Sequence, residues 1–105
     1  MNARTNMSSP EASLARLIAQ AKIGELALAH HQAVRAANSA KHDYHDAIRD
    51  FEGEKYCYEE RTHPGEPGWD ALTEATATEF AAYRAAQRVA YNIKRRLENA
   101  CRKFN

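Results

Sequence analysis

Apolar residues recur through most of this 105-residue chain at alternating steps of three and four. That spacing lines up one face of an α-helix. In the first half one heptad position reads Ile23, His30, Ala37, Tyr44, Phe51 and Tyr58, and its companion reads Leu26, Ala33, Ala40, Ala47 and Glu54. In the second half Trp69, Leu72, Thr76, Glu79, Tyr83, Ala86, Ala90, Ile93, Leu97, Ala100 and Phe104 keep the same spacing. Thr76 and Glu79 interrupt that seam with polar groups, while Phe80 and Tyr91 widen it. Two seams of this kind predict an all-α fold of two long, coiled-coil-like helices.

The helices are separated by Thr62-His63-Pro64-Gly65-Glu66-Pro67-Gly68-Trp69-Asp70. Proline ends a helix that reaches it, and glycine accepts positive φ, so repeated Pro-Gly pairs mark a turn. Pro10, after Ser9 and before Glu11, opens the first helix. No proline follows before Pro64, so the first helix is expected over about 10–61. The turn then covers 62–70, and the second helix covers about 70–103, starting between Pro67 and Ala71, with Asp70 as N-cap or Pro67 as first helical residue. Residues 1–8 are read as a disordered tail and 9–105 as one helical domain. Gly24 and Gly53 are the weak points of the first helix.

Folding about Gly65 gives an antiparallel hairpin in which Tyr44 meets Ala86, Ala47 meets Tyr83, Ala37 meets Ile93 and Ala33 meets Leu97. A large side chain faces a small one at each step. The longer first helix overhangs by about sixteen residues in that register, judged at 1.5 Å rise per residue. A second apolar stripe, Leu14, Leu17, Ile18, Ala21 and Leu28, lies nearly opposite the seam of the first helix. A helix apolar on two sides is buried on two sides. Two hairpins therefore dimerise into a four-helix bundle through these five residues. The alternative is a three-helix bundle, with the first helix broken near Gly24 or Asn38-Ser39 and folded back.

Alanine-rich composition supports helix and limits the thickness of the core. The net charge of +1 hides a separation: residues 43–79 carry eleven acids against three bases, and the rest of the chain carries twelve bases against three acids. The acidic turn end, with Asp43, Asp46, Asp50, Glu59, Glu60 and Glu66, offers a surface to a basic partner. The basic end, with Arg84, Arg88, Lys94, Arg95, Arg96, Arg102 and Lys103, offers one to phosphates. No recognition-helix or zinc-finger spacing accompanies it.

Candidate chemistry is sparse. His42, His45 and Asp46 stand at i, i+3 and i+4, a spacing that brings three donors near one metal ion. Glu60-x-x-His63 has half of a diiron-bundle motif. Cys57 and Cys101 fall at opposite ends of the hairpin and do not bridge, consistent with a reducing cytoplasm. No apolar run reaches the ~20 residues that span a bilayer, and phosphate-binding glycine loops and nucleophile elbows are absent. These features point to a non-catalytic protein–protein interaction module, homodimeric and cofactor-free, of the adaptor, secretion-chaperone or phage-type inhibitor kind. The basic end as a nucleic-acid surface and the histidine cluster as a metal site are the alternatives. A small-molecule substrate or a membrane is not expected as a partner.

Overall fold

A computed structural model of the chain describes residues 10–53 and 58–105. The expected tail therefore lies outside the described residues, as do Glu54 and Cys57. All regular structure among the described residues is helical, and no strand forms. Helix α1 (Pro10–Glu52) begins where the missing amide hydrogen of Pro10 is no loss, with Glu11 in the first turn. It runs unbroken through Gly24 and Asn38-Ser39, so the broken-helix alternative does not form.

Helix α1 stops at Glu52, short of the expected Arg61. The cause is Gly53, which takes a left-handed φ of 83° and donates its amide to the Arg49 carbonyl at 2.7 Å. This is a glycine C-terminal cap, more decisive than the distant prolines. A 3-10 turn at Tyr58–Glu60 follows. Two tight turns then sit back to back. In each, proline is followed by a positive-φ glycine, Gly65 at 88° and Gly68 at 94°. They are closed by Glu66 N–H to His63 O at 3.1 Å and Trp69 N–H to Glu66 O at 3.2 Å. Proline then left-handed glycine is the arrangement of a type II turn. Helix α2 (Trp69–Ala75) starts from Gly68, within the expected Pro67–Ala71 stretch, while Asp70, the expected N-cap, falls in its first turn.

The second seam is carried by two helices, α2 and α3 (Ala77–Phe104), joined at Thr76. Thr76 is 3% exposed, and its hydroxyl donates to the Leu72 carbonyl at 2.9 Å. Such back-bonding by threonine bends a helix. Its amide still reaches Leu72 O at 3.0 Å and its carbonyl still accepts from Phe80 N–H at 3.0 Å, so the apolar stripe passes through the bend.

Helices α1 and α3 pack along each other. Arg16 lies over the Phe104 ring at 4.6 Å, while Tyr44 meets Phe80 and Tyr83 with ring centroids 5.2 and 6.2 Å apart. Early residues of α1 thus face late residues of α3. The register is displaced from the expected one by about one to three turns: Tyr44 meets Phe80 and Tyr83 and Arg16 meets Phe104, so an aromatic cluster stands where Tyr44 was expected to face Ala86. The connection from Glu52 to Trp69 is centred before Gly65, which accounts for the shift. Only the stretch before Arg16 extends past Phe104, so the overhang is far shorter than sixteen residues. The molecule is long and thin, 73 × 22 × 19 Å.

Candidate functional site

One helix can cover only one stripe of another. The α1 seam, Ile23, Leu26, His30, Ala33, Ala37, Ala40, Tyr44 and Ala47, is buried or half-buried against its neighbour, but the next seam residue, Phe51, is exposed. The second α1 stripe points elsewhere. Leu14, Leu17, Ile18 and Leu28 are 59%, 61%, 60% and 58% exposed, and Ala21 is exposed between them. Leu17, Ile18 and Leu28 lie within the paired length of α1, so direction and not overhang leaves them bare. Burial of a large aliphatic side chain contributes about 1.5–3 kcal/mol, and more than half of that is unrealised at each position.

The acidic residues of the turn end, Asp43, Asp46, Asp50, Glu59, Glu60 and Glu66, are all exposed. Asp46 and Glu66 are among those with local work. Asp46 pairs with Arg49 one turn on, and Glu66 Oε1 accepts both the His63 backbone amide at 2.6 Å and His63 Nδ1–H at 2.9 Å. Glu52 Oε2 accepts the Thr62 amide at 3.2 Å, fastening the connection to the end of α1.

Beside these contacts lies a feature with no sequence signal, because loop and helix ends meet there from distant positions. A cleft of about 510 Å³ is walled by Tyr44, Ile48, Trp69, Leu72 and Phe80 and includes Glu52, Arg61 and His63. Its volume is in the range of small-ligand sites, and several of its polar groups are engaged within the fold. Besides Glu52 and His63, Thr73 Oγ1 donates to Trp69 O and Thr76 Oγ1 to Leu72 O. Among the described residues no cysteine or serine lines it.

The histidine cluster does not form a metal cage. His42, His45 and Asp46 are exposed on α1 with Asp46 turned to Arg49, and no three His, Cys, Asp or Glu among the described residues are placed to hold a metal. Glu60 and His63 lie outside any α-helix, which removes the helical Glu-x-x-His reading. Cys101 is a free thiol, half-buried near the end of α3. Among the described residues no helix is long and apolar enough to cross a membrane.

The seven basic residues separate into groups around α3. All are exposed, but Arg84, Arg88, Arg95 and Arg102 follow spacings of four, seven and seven, which keep them within about 40° of one another at 3.6 residues per turn. Arg96 and Lys103 occupy another face, and Lys94 flanks the ridge on the opposite side from them. Arg102 donates to Asn99, and Arg95 lies over the Tyr91 ring at 5.9 Å. Comparison of the chain with family models, with curated proteins and with solved structures gives no match.

Proposed function

We propose that the chain is a non-catalytic interaction protein. In this reading α1 and α3 form an antiparallel hairpin that pairs with a second copy into a four-helix assembly through Leu14, Leu17, Ile18, Ala21 and Leu28. One observation carries it: these large aliphatic side chains share a face and are about 60% exposed, although the chain's own helices have already closed the other seam. A contiguous apolar face of this kind marks an association surface, and a self-matching patch gives closed twofold pairing.

The test is the mass in solution. Sedimentation equilibrium should give twice the 11.8 kDa chain mass, and Leu17→Glu with Ile18→Glu should return it to one chain with helix content by circular dichroism unchanged. A wild-type protein that stays at one chain mass at every concentration would reject the pairing.

A further inference from the structure

The outer face of α3 is a mainly basic ridge, with one acid, Glu98, on the same stripe. Arg84, Arg88, Arg95 and Arg102 project from it, with Tyr91 between the second and third. Eighteen residues separate the first arginine from the last, five full turns and a span of about 27 Å. None of the four makes an ion pair with a described residue. From Arg84 to Lys103 there is one acid, Glu98, against seven bases. Arginines on a helix without carboxylate partners keep most of their guanidinium donors for an external anion, although one nitrogen of Arg102 donates to Asn99. Their spacing, roughly 6 to 10 Å along the axis, calls for an anion that repeats, not a single phosphate.

Tyr91 sharpens the choice. It is 57% exposed, outside the seam, and its ring is held beside Arg95. An exposed aromatic set among arginines is the combination that holds single-stranded nucleic acid: cations follow the backbone and the ring receives an unpaired base. We infer that the Arg84–Arg102 ridge of α3 binds the phosphate backbone of single-stranded nucleic acid, with Tyr91 as a stacking platform. The ridge lies nearly opposite the α3 seam, so this inference does not depend on self-association through α1.

The experiment is fluorescence polarisation of a labelled twenty-nucleotide oligothymidine against full-length protein over a range of sodium chloride. Wild type should bind at low salt with log affinity falling linearly in log salt, by about 0.7 for each arginine engaged. Arg88→Gln with Arg95→Gln should lower that slope by about 1.4. Tyr91→Ala should weaken binding about tenfold with the slope kept, while Arg96→Gln with Lys103→Gln, on the other face, should leave the slope near wild type. Circular dichroism of every variant establishes that the helices persist. No binding at low salt would overturn the inference, as would equal loss in the Arg96/Lys103 variant, which would reduce the effect to net charge. Competition by polyglutamate as effective as by unlabelled oligonucleotide would also overturn it, in favour of an acidic protein partner.

Discussion

Two glycines carry opposite instructions to the same helix. Gly53 sits at φ 83° and Gly24 inside regular α1, and a Cβ at either would meet nothing within 4 Å. Any effect of alanine is therefore conformational. Gly53→Ala places a side chain in left-handed backbone and should cost about 1 kcal/mol. Gly24→Ala removes a flexible residue from a helix interior and should stabilise by a similar amount, about 1 kcal/mol. Thermal melts of the two variants should shift in opposite directions. His45 gives a residue-scale handle on pH. Burial, then the neighbouring charges of Lys41, His42, Arg61 and Arg49, hold its imidazole below the ordinary 6.5. The folded chain thus binds that proton more weakly than the unfolded chain. Its contribution is full above about pH 6.5 and is lost as pH falls through the lowered folded value. His45→Gln should flatten the fall in melting temperature between pH 7.5 and 5; an unchanged fall would assign the acid sensitivity to other groups.

At the scale of elements, the α2–α3 seam was legible because the 3-4 spacing is a direct reading of helix geometry: all eleven of its residues, from Trp69 to Phe104, are buried or half-buried. The end of α1 was not legible. The heptad continues numerically through Phe51 to Tyr58, and Gly53 in isolation reads equally as a weak point or a stop; only its left-handed φ decides. The register was missed for the same reason, since the length of the connection follows from that stop. The Arg-Tyr ridge was visible only as a list of basic residues until α3 fixed which of them share a face. Glu79 shows what a polar residue in a seam does. Its Oε2 is shut from solvent with no hydrogen-bond partner among the described residues. That burial costs about 1–3 kcal/mol, against about 0.3–1 kcal/mol returned by an acid in the first turn of α3. Glu79→Leu should therefore raise stability by about 1 kcal/mol in chemical denaturation; a loss would show that the carboxylate has a favourable partner.

The whole molecule has little interior. Among the described residues only Ala33, Leu72 and Thr76 are buried, and the radius of gyration of 22.5 Å compares with about 13 Å for a compact chain of this length. Stability is therefore spread along a line of half-buried contacts, and a second copy on α1 would contribute a large share of it. The segregation of charge was readable from the sequence, but the thinness that makes an extra partner valuable needed the packing. The same slenderness affects how the protein behaves on a sizing column. A rod of 73 × 22 × 19 Å drags more water than a sphere of equal weight and elutes early. One molecule can then pass for two by retention volume alone, so stoichiometry must come from scattering or sedimentation, where weight and outline separate.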